Sequence, residues 1–265
     1  MIKFFRKTRK ILINEGKTRR YFKYAIGEIV LVVVGILIAL WLNQLNEKKV
    51  KRRQELQTLV QLKGEFEANL LQLDEKISMR ASMIQAGSRL LYFHDNPEKI
   101  YKDSVATLLA RTSVAPTFDP ITNDLISGGR LYLITNPELK TMLSKWPSDL
   151  VQVTEEEIAW IFILRNTYMP YLSANYPIRN LNEAKWNKLD VVQTLLLEKN
   201  KLTTNVIGHS KEVFDVEAFL ANPKLADQFS TVISSCLFAK TQSEYLRKSI
   251  SKILFLIKKE LKGQP

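Results

Sequence analysis

The sequence predicts an all-α fold, with an N-terminal transmembrane helix followed by a helical-bundle-like soluble domain. Three observations carry this expectation. The stretch from Tyr24 to Leu42 holds a single charge, Glu28, and every residue from Ile29 to Leu42 is apolar or glycine. Beyond it, apolar residues recur at three- and four-residue steps, the period of an amphipathic helix. Asn-Pro pairs, which start helices, punctuate the rest of the chain, and strand signals are scarce.

The chain accordingly divides into a basic cytoplasmic segment (1–23), a transmembrane helix (24–42) and a helical extracytoplasmic domain (43–265). In the first segment Phe4, Phe5, Thr8, Ile11 and Leu12 share one helical face, opposite Lys3, Arg6, Lys7 and Lys10. This is the pattern of a short helix lying in a membrane interface. The span itself, Tyr24 to Leu42, covers roughly 28 Å at 1.5 Å per residue, enough for the hydrocarbon of a bilayer. A cleaved signal peptide would need small residues after the apolar run, whereas the run ends ALWLNQLNEKK. Residues 1–23 carry nine Lys and Arg against one Glu, and residues 43–55 carry five against two. The imbalance predicts a cytoplasmic N terminus, a single pass, and a domain beyond the inner membrane. Glu28 lies near the start of the span, where the helix dipole favours an anion and Arg20 or Lys23 is within reach. The alternative is a polar contact to another membrane helix. Gly35 and Ala39 form one small-xxx-small pair, a weak helix-packing signal.

The net charge of +12 would suit a nucleic-acid binder, but its distribution does not. Residues 56–265 hold 25 basic and 23 acidic side chains, so the basicity belongs to the membrane flanks. The expected partner is the lipid bilayer, with no nucleic acid.

In the soluble part, Leu56, Leu59, Phe66, Leu70, Leu73 and Ile77 form the stripe of a long helix emerging from the membrane. Asn96-Pro97, Asp119-Pro120, Asn136-Pro137 and Asn222-Pro223 predict helix starts, and Gly128 a helix stop. Thr154 with Glu157 reads as a capping box ahead of the apolar run at Ile158. Leu225, Phe229, Val232, Ile233, Cys236, Leu246, Ile250, Ile253, Ile257 and Leu261 share one face of a long last helix. Leu131 to Thr135 is the best short strand candidate.

No catalytic constellation is legible. His94 and His209 stand in loop-like contexts without a second ligand at metal spacing, and the single cysteine, Cys236, excludes a Cys/His zinc cluster within one chain. Glu155, Glu156 and Glu157 diverge on a helix. Asp119, Asn123 and Asp124 lack the calcium-loop pattern, and Gly128-Gly129-Arg130 is explained by a helix stop. The residue types are those of a protein without catalytic residues, metal, cofactor or identifiable small-molecule ligand. One set, Trp160, Arg165, Tyr168 and Tyr171, has the composition of a protein contact surface, with core packing as the competing reading.

MIKFFRK, YAIGEIVLVVVGILIALWLN, and TFDP followed by LISGGRLYLITNPELK (Leu125 to Lys140) together resemble a family of bacterial single-span membrane proteins known only as a domain of unknown function. The resemblance is densest in the anchor and extends to about Lys140. It implies an inner-membrane anchor followed by a helical domain, and brings no catalytic residue, cofactor or ligand with it. The expected function is non-enzymatic interaction or scaffolding in the envelope, through another envelope protein or self-association. A sensory subunit signalling through a membrane partner, and an enzyme with an unrecognised acid-based site, are the alternatives.

Overall fold

The computed structural model describes residues 18–121, 130–188 and 207–263. Among them every regular element is helical. In chain order the helices are α1 (Thr18–Asp95), α2 (Lys102–Thr112), α3 (Pro137–Ile163), α4 (Met169–Asn175), α5 (Ile178–Lys188), α6 (Val216–Leu220) and α7 (Pro223–Lys262). A five-residue π turn, Leu164–Tyr168, joins α3 to α4. The strand candidate at Leu131 is instead a 3-10 turn, Arg130–Leu133. Ile134 N–H bonds back to the Leu131 carbonyl, and Asn136-Pro137 opens α3 immediately afterwards, leaving no length for a strand.

The chain forms two compact units, Met1–Gln57 and Thr58–Pro265. In the first, α1 passes through both ends of the expected span without a break, since the chain has no proline before Pro97 and Asn43 continues the helix instead of ending it. The apolar side chains from Ile29 to Leu42 are exposed all round, Ile29 at 63% and Trp41 at 59%. A helix that is apolar on every side needs an apolar solvent. Its richest 18-residue window has a mean hydropathy of 2.7 with none of it buried, and among the described residues it is the one helix long and apolar enough to cross a membrane.

In the second unit α1 and α3 both run antiparallel to α7. Glu67 pairs with Lys258 and Asp74 with Arg247 across α1 and α7, while Glu138 pairs with Lys252 across α3 and α7. The buried face of α7 steps 225, 229, 232, 236, 239, 243, 246, 250, 253, 257, alternating four and three, which keeps one seam turned inward over its whole length. Two apolar cores result. One joins Leu59, Phe66 and Leu73 of α1 to Leu143, Trp146 and Val153 of α3 and to Leu246, Ile250 and Ile257 of α7. The other joins Met83, Leu90 and Phe93 to Val105, Leu109, Trp160, Tyr168, Leu172, Leu181, Leu220, Phe229 and Cys236.

The expected helix starts divide. Asn136 Oδ1 accepts from Leu139 N–H at 2.9 Å and Asn222 Oδ1 from Lys224 N–H at 2.9 Å, as N-caps do. Asn96 instead turns its amide back to the Tyr92 carbonyl at 2.9 Å, closing α1, and only a 3-10 turn follows. Asp119 and Pro120 have no regular structure, and the helix expected after them, with Gly128 as its stop, lies outside the described residues. The capping box at Thr154 and Glu157 is a correction: both stand in the middle of α3, where Thr154 Oγ1 bonds to the Leu150 and Val151 carbonyls. The helix runs on through Pro147, whose missing N–H costs one backbone bond, because its buried face is packed on both sides of that position.

Gly87 sets the spacing of α1 and α7. A Cβ built there would lie 2.9 Å from Ile233 Cγ1, close to the branch point of a side chain with little freedom to move. Gly87→Val should therefore destabilise the domain by about 1 kcal/mol, overpacking outweighing valine's better helix propensity. Urea unfolding followed by circular dichroism checks this, and an unchanged midpoint would show that the helices part without cost.

Candidate functional site

Pro170 determines how the aromatic set is displayed. It has no N–H to return to Asn166, and the chain widens into the π turn Leu164–Tyr168 just before it. Tyr168 turns fully into the core and shares a hydrogen bond of 2.6 Å with Thr112 Oγ1. Trp160 is buried and donates from Nε1 to the Val114 carbonyl at 2.9 Å. Tyr171 is half-buried against the same core, and its hydroxyl has no hydrogen-bond partner among the described residues. Arg165 is exposed. Trp160 and Tyr168 therefore hold the inside of the domain, and Arg165 belongs to its surface. The outward face of α3 that leads to Arg165 carries Val151, Ile158 and Phe162, exposed at 50%, 65% and 67%, with the exposed Glu155 between the first two.

Thr112, the partner of Tyr168, ends α2, and Val114, the partner of Trp160, lies in the strap that follows, Ser113 to Ile121, which has no regular structure and no backbone partner in a ladder. Side chains take the place of one. Lys185 Nζ donates to the Ser113 carbonyl at 3.0 Å and Arg80 to the Pro116 carbonyl at 3.1 Å. Phe118 N–H donates to Glu157 Oε2 at 2.8 Å and Asp119 N–H to Gln72 Oε1 at 3.1 Å. Asn69 closes the strap with two bonds, accepting from Ile121 N–H and donating to its carbonyl. The TFDP motif thus has a physical reason: Phe118 is buried in the core while its amide is held by a buried carboxylate.

Arg80, Glu157 and Ser243 form a polar layer between the two apolar cores. Arg80 is 2% exposed and Glu157 4%. The guanidinium donates to Glu157 Oε1 and, at 2.7 Å, to Ser243 Oγ, which in turn donates to the Ala239 carbonyl. Both carboxylate oxygens accept, the arrangement of an ionised acid. Burial pushes the Glu157 carboxyl above its ordinary value, and Arg80 and the Phe118 amide pull it back. Arg80 is itself pushed down by burial and supported by Glu157. The chemistry of this layer is structural, because its polar groups face one another and are shut away from solvent. The acid of a capping box would sit at an exposed helix start, whereas Glu157 is buried beside Arg80. Continuing the α1 stripe past Leu73 in three- and four-residue steps lands on Lys76 and Arg80, which is the signal that points to a charged seam.

The span residues Tyr24, Glu28, Gly35, Ala39 and Leu42 all lie within α1. Around a Cβ at Gly35 there is open space, so the position is free to meet another surface. His94 closes the last turn of α1, with Nδ1–H donating to the Leu220 carbonyl at 2.7 Å, and so is not in a loop. His209 Nδ1 bonds to Glu183 Oε2 at 2.7 Å. Cys236 is buried in the core, and burial pushes its thiol up to about 12. Among the described residues no three His, Cys, Asp or Glu side chains converge as metal ligands do.

Residues 28–123 match a family of unknown function (DUF6090). The match covers most of the span, the rest of α1, α2 and the strap, and stops two residues after its last anchored position, Ile121. It is the stretch in which the anchor and the Asn69, Gln72 and Arg80 clamps occur together. No curated protein and no solved structure matches the chain.

Proposed function

We propose that this is a single-pass membrane protein whose N terminus is cytoplasmic and whose helical domain lies outside the inner membrane. There it serves as a non-enzymatic interaction protein for another envelope protein or a second copy of itself. The observation that carries the reading is the pairing of an apolar, fully exposed span with an exposed apolar stripe on a packed helix, Val151, Ile158 and Phe162, ending at Arg165. An apolar stripe bordered by arginine is the composition of a contact surface, and the buried clamps of the strap keep the underlying helix in place.

The location of the domain is tested with a C-terminal tag and protease added to intact spheroplasts. The tag should be cut before lysis. Cleavage only after lysis would put the domain in the cytoplasm and overturn the reading. For the surface, a photo-crosslinker at position 162 should give a discrete adduct that Ile158→Asp removes, while the unfolding midpoint changes little because neither side chain is buried.

A further inference from the structure

An open cleft of about 780 Å³ lies between the C-terminal half of α1 and α2, apart from the α3 stripe. Its wall from α1 carries Ser82, Gln85, Arg89 and Tyr92, and its wall from α2 carries Leu108 and Arg111. Arg89 is held by two rings, its Cζ 4.9 Å from the centre of Tyr92 and 4.7 Å from that of Phe93. The attraction of the cation to the two rings holds the exposed Arg89 side chain at the cleft, with its N–H groups left for hydrogen bonds. Arg111 is half-buried and steadied by one bond, Nη1 to Ser82 Oγ at 2.8 Å.

Among the described residues no acidic side chain lines the cleft. Two like charges brought to one concavity without a counter-charge are unfavourable until an anion joins them, and planar guanidinium donors suit the paired oxygens of a carboxylate or phosphate. Leu108, Ala86 and the Tyr92 ring supply an apolar wall beside those donors. We propose that the cleft binds a small organic oxyanion, with a carboxylate or phosphate on Arg89 and Arg111 and a compact apolar body against Leu108 and Tyr92.

The probe is phenyl phosphate, with inorganic phosphate and chloride at matched ionic strength, added to the full-length protein in detergent. Saturation-transfer NMR should show contact with the phenyl ring, and phenyl phosphate should raise the melting temperature when chloride does not. Arg89→Gln and Arg111→Gln should each weaken binding at least tenfold while leaving the ligand-free melting temperature nearly unchanged. Equal binding by wild type and the double variant would overturn the site. Inorganic phosphate binding as tightly as phenyl phosphate would overturn the assignment of an apolar body to the ligand. Neither result depends on which side of the membrane the domain occupies.

Discussion

Glu157→Ala should destabilise the helical domain by about 3–5 kcal/mol, the largest effect expected of any single substitution here. The alanine removes the charge that compensates Arg80, which is buried with no route to solvent. It also orphans the Phe118 amide, and a buried donor left without a partner costs about 1–3 kcal/mol. Replacing both charges with apolar residues, Arg80→Met with Glu157→Leu, is often neutral for a buried pair that bonds only to itself. This pair also bonds to Pro116, Phe118 and Ser243, so the double variant should recover part of the loss and remain below wild type. Urea unfolding of the full chain in detergent, followed by far-ultraviolet circular dichroism, measures wild type and both variants. A Glu157→Ala variant within about 1 kcal/mol of wild type would show that water or a relaxed strap replaces the carboxylate, and would remove the polar layer from the account of stability.

The parts of the fold set by local chemistry were legible in the sequence. The span is a matter of length and apolarity; the caps at Asn136 and Asn222 are a matter of one side chain and the next three amides; the α7 stripe is a matter of period. The parts set by distant partners were not. Glu157 is locally indistinguishable from an acid in a first helical turn, and only the arrival of Arg80 and the Phe118 amide from far along the chain makes its burial tolerable. Trp160 and Tyr168 have the composition of a surface, and the π turn before Pro170, with the carbonyl of Val114 and the hydroxyl of Thr112 waiting inside, decides that they face inward. Arg89 and Arg111 stand on different helices, so their convergence at one cleft has no signature in either segment.

The domain should lose stability in alkali well before its lysines discharge, and Cys236 should account for a measurable share. The thiol is buried, and burial moves it from an ordinary 9.0 up to about 12, with Arg80 pulling the other way. A weak acid raised on folding keeps its proton in the folded state while the unfolded chain releases it. Its contribution is therefore fully present below pH 9.0 and is lost as pH rises toward 12. For Cys236 alone the loss between about pH 8 and pH 10 is roughly 1.4 kcal/mol. Tyr176, pushed up to about 12 by burial, and Tyr168, pushed up by burial against its bond to Thr112, titrate with the same sign at higher pH. Cys236→Ala separates the thiol from these. Its packing loss is independent of pH, so the stability difference between wild type and variant should shrink by roughly 1.4 kcal/mol from about pH 8 to pH 10. A difference that stays constant over that range would mean that the thiol ionises as readily in the folded domain as in the unfolded chain, and would overturn the burial argument.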